Sequence, residues 1–540
     1  MMNVQLTVSS MMERAEKLFG KKEVVSKSSK GIQRLTYNQL IKRTRQLSSM
    51  LERIGVKRGE RVGTFAWNHH RHLEAYFAVP GIGAVLHTIN IRLDSEQIVY
   101  IINHARDKVI LLDECFLPLF ESIHQKLPHV EAYIIMSDEG ELPETALPVY
   151  HYENWIQQGH ASHSFVQDLN EEEPAGLCYT SATTGEPKGV VYSHRAIYLH
   201  CMALGLADSA GLSEADTAMP IVPMFHVNAW GLPFAAVWFG TKLVLPGAFC
   251  TSETIASLIE QERVTLAAAV PTVWLNFLQE LEKKPYAVDS LRAILCGGSA
   301  APKSVIREFQ EKYQIEFMHA YGMTETSPVV TVSRLKSYQY SEDSEYQLSI
   351  KAKQGFLVPG VEMKVIGQNG EVAWDGAEMG ELLLKGPWVA SEYYKDKRTE
   401  DTFKGGWLYT GDIVTVDEEG TIKIVDRTKD LIKSGGEWIS SVDLENALIA
   451  YRAVFEACVI EVPHKVWQER PVACVVLNDA YKGVVSSEEL LKFLAPQFAK
   501  WWLPDDILFM DEIPKTTIGK FLKRTLREQV VNHYQKGWVR

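Results

Sequence analysis

The sequence lacks paired cysteine motifs and any excess of positive charge. Its seven cysteines are scattered, with no CxxC pair and no histidine at metal-ligand spacing, so they indicate neither a disulfide framework nor a zinc site. This usage is typical of a reducing compartment, and we expect a cytoplasmic enzyme. The net charge of −12 argues against a general binder of nucleic acid or anionic membranes, since either needs a clustered basic face. An anionic ligand must then be met by local Lys and Arg.

Long apolar runs are also missing. The N-terminus, MMNVQLTVSSMMERAEKLFG, has no continuous apolar core of signal-peptide length, and its pattern predicts an amphipathic helix. The most apolar later stretch, AWGLPFAAVWFGTKLVLP, is interrupted by Pro233, Gly240 and Lys242. This stretch therefore predicts core elements rather than a transmembrane segment.

What the chain does have is enough apolar material for more than one core. Its 540 residues are 46% hydrophobic, so two or more domains are expected. Apolar runs such as RVGTFA, KVILLD, VTLAAAV and LRAILCGG each precede a helical pattern, which is typical of βαβ units in a mostly parallel sheet. After about residue 350 the β-rich runs VEMKVIG, GELLLKG and TIKIVD predict a small barrel or meander, and the C-terminal part returns to an α+β mixture.

The segment YTSATTGEPKGV, residues 179–190, combines hydroxyl side chains, glycine, proline and one lysine between two runs that predict short strands. An exposed loop with hydroxyls, free backbone N–H groups and an ammonium suits the phosphates of a nucleotide. It is not a Walker A loop, because GxxxxGK[ST] does not align on Gly185 and Lys188. Composition alone leaves open a Ser/Thr-rich surface turn.

Five further segments place polar or glycine residues next to apolar runs. PMFHVNAWG contains His226 and Trp230, and LCGGSA ends an apparent strand with two glycines, where backbone can approach a flat ligand closely. HAYGMTETSP offers an aromatic face and Glu325, WLYTGD ends in Asp412, and IPKTTIGKFLKR carries Lys520. The alternatives are a core histidine, a core tryptophan, solvated turn carboxylates, a surface lysine at Lys520 and a plain turn at the two glycines. A charged segment, IVDRTKDLIKSGG, follows a strand pattern and reads either as a linker or as a charged loop.

In this order and at these separations, the six segments resemble the adenylate-forming superfamily of acyl-CoA synthetases, peptide-synthetase adenylation domains and luciferases. The resemblance covers nearly the whole chain. PMFHVNAWGLPF and DRTKDLIKSGGEWIS look most like the fatty acyl-CoA synthetases of that superfamily. One departure is Ala182, which stands where the family's phosphate loop usually has glycine; Ala is strained there only if φ is positive.

The resemblance implies an α/β fold with a large N-terminal domain, residues 1–428, of two βαβ-type subdomains plus a distorted β-barrel. A small mobile α+β C-terminal domain, residues 429–540, is implied after it. It also implies a two-step reaction, in which the carboxylate of a medium- or long-chain fatty acid attacks the α-phosphorus of ATP and CoA thiolate then displaces AMP. ATP, Mg²⁺ and CoA are the expected cofactor and co-substrates. Nucleic acid is not expected as a partner, whereas association into a homodimer is expected.

Residue roles follow from the same resemblance. For ATP and AMP they are Thr180, Ser181, Thr183, Thr184, Gly185 and Lys188 at the β- and γ-phosphates, Gly298, Ser299, Ala300 and Tyr321 around adenine, Thr324 near the α-phosphate, Asp412 and Arg427 at the ribose, and Lys433 near the nucleotide. For catalysis and the other ligands they are Lys520, Glu325, Thr184 and His226 as catalytic residues, Thr184 and Glu325 for Mg²⁺, Lys429 as hinge, Gly436 and Trp438 on the CoA path, and His226, Val227 and Trp230 at the acyl site.

Two other functions fit the same fold. One is a ligase that loads its acyl-AMP onto a carrier protein, which turnover with free CoA would distinguish. The other is a non-catalytic nucleotide-binding protein, which would be favoured if Lys520, Glu325 or Asp412 were absent. All three residues are present.

Overall fold

In a computed structural model of the protein, residues 1–141, 144–180, 186–248, 250–435, 437–515 and 521–537 are described. The helices, numbered in chain order, are α1 (Val8–Phe19), α2 (Tyr37–Arg53), α3 (His70–Gly81), α4 (Ser95–Ala105), α5 (Leu117–Ile123), α6 (Tyr152–Ile156), α7 (His194–Gly205), α8 (Leu232–Phe239), α9 (Ser252–Glu262), α10 (Pro271–Lys283), α11 (Lys303–Glu311), α12 (Ser344–Lys351), α13 (Thr399–Thr402), α14 (Ser441–Ile449), α15 (Ser487–Leu494) and α16 (Lys523–Gly537). The strands are β1 (Glu23–Ser28), β2 (Gly31–Thr36), β3 (Arg61–Phe65), β4 (Val85–Thr88), β5 (Asp107–Asp113), β6 (Ala132–Met136), β7 (Val149–His151), β8 (Pro174–Tyr179), β9 (Gly189–Ser193), β10 (Thr217–Pro220), β11 (Lys242–Leu245), β12 (Leu266–Ala269), β13 (Ala293–Cys296), β14 (Glu316–Gly322), β15 (Val329–Val332), β16 (Phe356–Leu357), β17 (Glu362–Gly367), β18 (Gly370–Glu371), β19 (Gly380–Lys385), β20 (Phe403–Lys404), β21 (Trp407–Val416), β22 (Ile422–Arg427), β23 (Ile432–Ser434), β24 (Glu437–Ile439), β25 (Val454–His464), β26 (Gln468–Leu477) and β27 (Asp506–Phe509).

Two large sheets form the first part of the chain, as the alternation of apolar runs and helical patterns predicts. A seven-stranded sheet has the order β7-β6-β5-β3-β4-β8-β9 and is parallel except for the β8–β9 pair. A nine-stranded sheet has the order β16-β15-β14-β13-β12-β10-β11-β1-β2 and is parallel from β14 to β1. The two predicted βαβ-type subdomains are therefore confirmed.

The N-terminal segment joins the nine-stranded sheet, which sequence patterning did not predict. Helix α1 is amphipathic as expected and is capped by Thr7, whose side chain accepts a hydrogen bond from the Ser10 N–H. The two strands after it form a hairpin, and β1 then pairs in parallel with the distant β11. Helix α3 is buried at every position from His70 to Gly81, including the charged residues Arg71 and Glu74, so it is packed on all sides rather than along one apolar face.

The β-rich segments after residue 350 form a curled, antiparallel half-barrel sheet of six strands, which confirms the predicted barrel-like unit. A separate five-stranded sheet contains β23 to β27. Among the described strands, none of the half-barrel sheet pairs with a strand of the five-stranded sheet. The chain passes from one sheet to the other between Arg427 and Ile432. Side chains do cross this point: the Ser441 N–H donates to Asp426 Oδ2 at 2.9 Å.

Several apolar cores underlie these sheets. The largest cluster packs α1, α2, α3 and α8 against both parallel sheets, and a second lies under α9, α10 and α11. The C-terminal unit has its own core around α14, β25 and β26. Of the helices that the structure describes, none is both apolar and long enough to cross a lipid bilayer.

Candidate active site

Four of the predicted segments directly follow the carboxyl ends of parallel strands. Thr180 follows β8 of the seven-stranded sheet, and the segments with His226, Gly298 and Thr324 follow β10, β13 and β14 of the nine-stranded sheet. In open α/β sheets, ligands bind in the crevice outside these strand ends. The fold thus brings segments that are far apart in sequence to the carboxyl ends of parallel strands.

The loop between β8 and β9 is closed at its base by Thr180 and Lys188. The Thr180 N–H donates to the Lys188 carbonyl oxygen at 2.9 Å, and the Lys188 N–H donates to Thr180 Oγ1 at 3.1 Å. Both strands carry buried apolar side chains, so Thr180 and Lys188 are held in fixed positions at the strand ends. The remaining predicted phosphate ligands and the Ala182 departure lie outside the described residues: Ser181, Ala182, Thr183, Thr184 and Gly185.

Lys188 meets a carboxylate that comes from the other sheet. Its Nζ lies 3.8 Å from Oε1 of Glu325, which is 4% exposed in the short 3-10 turn Thr324–Thr326. This turn is fixed to β9, because the Tyr192 hydroxyl donates to the Thr324 carbonyl oxygen at 2.7 Å. Burial lowers the pKa of the Lys188 ammonium, and the nearby Glu325 carboxylate opposes that shift. A cation and an oxygen ligand thus face each other across the two sheets.

Asp412 is the centre of a second cluster. It accepts a hydrogen bond from the Tyr321 hydroxyl at 2.6 Å on Oδ2, and Nε of Arg427 lies 3.4 Å from Oδ1. The two charged residues are cross-strand partners in the β21–β22 ladder. The Asp412 carboxylate raises the pKa of Arg427, and burial together with Asp412 raises the pKa of Tyr321. Since a carboxylate offers about four lone-pair positions, two remain for a ligand such as a vicinal diol.

The glycine segment after β13 permits a close backbone approach. Gly298 has φ of 89°, a left-handed conformation that favours glycine. A Cβ at Gly297 would lie 2.8 Å from the Ala320 carbonyl oxygen and 3.3 Å from Cη2 of Trp230. The Ser299 carbonyl oxygen lies 3.2 Å from Nε2 of His319. Gly297 and Ser299 therefore lie beside β14, at Ala320 and His319.

The predicted acyl-site residues lie on a left-handed turn that sequence patterning did not reveal. Val227, Asn228, Ala229 and Trp230 have φ of 41°, 44°, 49° and 58°. Such conformations are costly for non-glycine residues, so the surroundings must hold them. One such contact is the Cys178 thiol, which donates to Asn228 Oδ1 at 2.6 Å. Trp230 is only 7% exposed, so it is packed against the glycine segment rather than open to solvent.

His226, the residue before this turn, is half-buried. Its N–H donates to the Pro223 carbonyl oxygen at 3.0 Å, and its own carbonyl oxygen accepts from the Ala229 N–H at the same distance. The backbone on both sides of the imidazole is thereby fixed relative to β10. This half-buried position fits both a core role and an acyl-site role.

The predicted residues of the C-terminal part lie on either side of the change of sheet. Burial lowers the pKa of Lys429, which sits in the turn between β22 and β23. The Lys433 N–H donates to Glu469 within the C-terminal unit at 2.8 Å. Trp438 packs against the small apolar cluster of Ile413, Val425 and Leu431. Gly436 and Lys520 lie outside the described residues.

Residues 386–398, the loop between β19 and α13, also contact the site, and sequence reasoning missed them. The Tyr393 hydroxyl contacts both Lys188 and Glu325, and Nη1 of Arg398 donates to the Glu186 carbonyl oxygen at 3.0 Å. A signal was available in the paired tyrosines of SEYYKDKR, but nothing local distinguishes them from ordinary loop aromatics.

Comparisons with known proteins place the chain in a family. The AMP-binding enzyme family matches residues 12–394, and the AMP-binding enzyme C-terminal domain matches residues 443–520. The long-chain-fatty-acid–CoA ligase of Thermus thermophilus is 47% identical over 99% of this chain and 97% of its own length. The medium-chain-fatty-acid–CoA ligase of Ectopseudomonas oleovorans is 42% identical over 98% of this chain and 97% of its own.

A solved structure agrees with these matches. The anthranilate CoA ligase AuaEII in complex with anthranoyl-AMP superimposes with a TM-score of 0.87, at 26% identity and 99% coverage of both chains. The family matches cover most of the chain, and the relatives match it almost from end to end. The chain therefore belongs to the AMP-binding, adenylate-forming enzyme family.

Proposed function

We propose that this protein is an ATP-dependent fatty acid–CoA ligase that converts a medium- or long-chain fatty acid to its CoA thioester, releasing AMP and pyrophosphate. The observation that carries the proposal is that the Asp412 cluster and the Lys188 cluster are joined by one short segment at the end of β14. Tyr321, with Asp412, and Glu325, with Lys188, are four positions apart at the end of β14. The first cluster suits a ribose and its base, and the second suits phosphates and a metal ion.

The chemistry explains why such residues are needed. A carboxylate is a poor electrophile, and attack of its oxygen on the α-phosphorus of ATP expels pyrophosphate and leaves an acyl-AMP with a good leaving group. The protein must neutralise the phosphate charge and align the reactants. We assign the first task to Lys188 and to Lys520, and the holding of the ribose to Asp412 and Arg427. The CoA thiolate then attacks the acyl carbon, and AMP leaves.

Mg²⁺ belongs to the proposal because the ligand chemistry fits it. Glu325 supplies a buried carboxylate oxygen beside the lysine of the phosphate loop, and Mg²⁺ prefers hard oxygen ligands. Together with the hydroxyl of Thr184, this carboxylate would hold the ion. When bound, the ion would neutralise charge on the phosphates.

We further propose that the chain divides into domains at residues 1–428 and 429–540, with Lys429 as the hinge. The change of sheet after Arg427 supports this division. The C-terminal domain would present Lys520 for adenylation and, after rotation, Gly436 and Trp438 for the CoA step. A cytoplasmic location and a homodimer stay predictions, supported by the cysteine pattern and by the resemblance.

Trp230→Ala is predicted to change which fatty acids are used. The indole lies between the left-handed turn and Gly297, so its removal opens space where we place the acyl chain. We expect the profile of kcat/KM across chain lengths to shift towards longer acids. Because Trp230 is buried, the melting midpoint should fall as well. Truncations of this kind typically reduce the free energy of unfolding by about 3–5 kcal/mol.

The matched control for this variant is Trp155→Ala. Trp155 is also buried but lies in α6, on the seven-stranded sheet. It should lower the midpoint and leave the chain-length profile unchanged. If Trp230→Ala also lowers the midpoint without altering the profile, Trp230 is only a core residue.

The proposed activity is tested by measuring AMP release with unbranched acids from acetate to palmitate, with and without CoA. We expect AMP and acyl-CoA to form in equal amounts, to require both ATP and CoA for turnover, and to peak with medium or long chains. Turnover only with a carrier protein would favour the acyl-AMP ligase instead. The names of the relatives above do not favour that alternative. An absence of any acid-dependent AMP release would refute catalysis.

A further inference from the structure

The Tyr393 hydroxyl stands between the two charged groups of the phosphate cluster. Its oxygen lies 2.6 Å from Lys188 Nζ and 2.6 Å from Glu325 Oε1. An ammonium can only donate, and an ionised carboxylate can only accept. The hydroxyl oxygen therefore accepts from Lys188, and its single proton is donated to Glu325. This is the one arrangement in which all three groups are satisfied.

The backbone around Tyr393 is fastened to both partners. The Ala390 N–H donates to the Glu325 carbonyl oxygen at 2.8 Å, and the Tyr394 N–H donates to the Gly189 carbonyl oxygen at 2.8 Å. Gly189 directly follows Lys188. The loop of residues 386–398 thus bridges the turn that carries Glu325 and the start of β9, directly after Lys188, so Tyr393 is placed by hydrogen bonds on both sides.

The ring of Tyr393 is also held in place. The side chain is buried, at 3% exposure, and its ring meets Phe403 edge-on with centroids 5.1 Å apart. Lys188 Nζ lies 4.1 Å from the ring centroid, within the range of a cation–π contact.

This arrangement prevents Lys188 and Glu325 from forming a direct hydrogen-bonded ion pair. Lys188 Nζ and Glu325 Oε1 are 3.8 Å apart, whereas a direct charge-assisted hydrogen bond is about 2.7–2.9 Å long. In a direct pair, each group would occupy the position at which the other should meet its ligand. With the hydroxyl between them, the ammonium and the carboxylate stay separated.

We propose that Tyr393 is a positioning residue for acyl-AMP formation, which keeps the Lys188 ammonium available to the ATP phosphates and the Glu325 carboxylate available to the metal ion. The proposal rests on the proposed function, since it takes the ligands of Lys188 and Glu325 from there. It assigns Tyr393 no contact with the fatty acid and no role in the CoA step.

The test is Tyr393→Phe, which keeps the ring and removes the hydroxyl. Because two hydrogen bonds to charged groups are lost, we expect MgATP affinity to fall about tenfold or more, and the Mg²⁺ concentration for half-maximal acyl-AMP formation to rise. The KM for the fatty acid and the conversion of supplied acyl-AMP with CoA should stay unchanged. Tyr394→Phe is the matched control, because its ring packs on His104 instead, and it should behave as the unaltered protein.

A double-mutant cycle separates positioning from a merely structural role. MgATP affinity is measured by calorimetric titration in Tyr393→Phe, in Lys188→Ala and in the double variant, since this readout does not need turnover. If Tyr393 acts through Lys188, its substitution should have a much smaller effect once Lys188 is absent. Full additivity, or an unchanged MgATP affinity and Mg²⁺ dependence in Tyr393→Phe, would overturn the inference.

A Glu325→Gln variant distinguishes failure of the inference about Tyr393 from failure of the proposed function. If Glu325→Gln forms acyl-AMP like the unaltered protein, the assignment of Glu325 is wrong and the role of Tyr393 fails with it. If Glu325→Gln is impaired while Tyr393→Phe is not, only the inference about Tyr393 is wrong. Impairment of both variants, with coupling between Tyr393 and Lys188, supports both.

Discussion

Asp412→Ala is expected to reduce kcat/KM for ATP by about a hundredfold or more. In the proposed complex the Asp412 carboxylate accepts hydrogen bonds from two ribose hydroxyls, while Tyr321 and Arg427 keep the carboxylate oriented. A hydrogen bond to a charged group contributes about 1.5–3 kcal/mol, and about 1.4 kcal/mol corresponds to a factor of ten. Steady-state kinetics with varied ATP, at saturating acid and CoA, measures the loss.

The controls for this prediction separate binding from folding. Asp412→Asn keeps the shape and one acceptor oxygen, so an intermediate loss is expected. Asp417→Ala removes a carboxylate just after the same strand, where it pairs with Lys353, and should leave the ATP dependence unaltered. An Asp412→Ala protein that melts normally and keeps the kcat/KM of the unaltered enzyme for ATP would refute the ribose assignment.

Lys520→Ala is expected to separate the two half-reactions. The proposed role of Lys520 is to bridge acyl and phosphate oxygens in the adenylation transition state, and removal of such a donor reduces kcat by about 10²–10³. Acyl-AMP formation from acid and ATP should therefore be lost almost completely. The reaction of supplied acyl-AMP with CoA should continue, because the rotated C-terminal domain presents other residues in that step. Single-turnover assays of each half-reaction measure both quantities.

Two further variants make this test specific. Lys515→Ala removes another lysine of the same segment, which pairs with Glu456, and both half-reactions should survive. Lys429→Pro fixes φ near −65° at the proposed hinge; if it traps the adenylation pose, acyl-AMP should still form and its reaction with CoA should fail. Equal losses in both steps for Lys520→Ala would contradict the division of labour.

Local patterns predicted most of the fold because its parallel strands are short, buried and each followed by a helix. RVGTFA and LRAILCGG could therefore be assigned as β3 and β13 with their helices α3 and α11. The pairing of β1 with β11 could not be predicted in this way, since it joins residues more than two hundred positions apart and no local pattern selects the partner.

The site was predictable where a motif carries several chemical groups together. Asp412, Glu325 and Lys188 each stand in such a motif, and the fold brings Lys188 to Glu325 and Asp412 to Tyr321. The left-handed turn before α8 has no sequence signature, because residues such as Val227 disfavour that backbone and only tertiary contacts enforce it. Tyr393 was missed for a related reason: its proposed role depends on Lys188 and Glu325, which lie beside strands of two other sheets.

The central claim, that the fatty acid is activated through its adenylate, is tested most directly by following the carboxylate oxygens. A fatty acid labelled with ¹⁸O in both carboxyl oxygens is converted with ATP and CoA, and the products are analysed by mass spectrometry. Attack of a carboxylate oxygen on the α-phosphorus, followed by attack of the thiolate on the acyl carbon, leaves one labelled oxygen in AMP and one in acyl-CoA, with unlabelled pyrophosphate. Unlabelled AMP, or label in pyrophosphate or inorganic phosphate, would contradict the account.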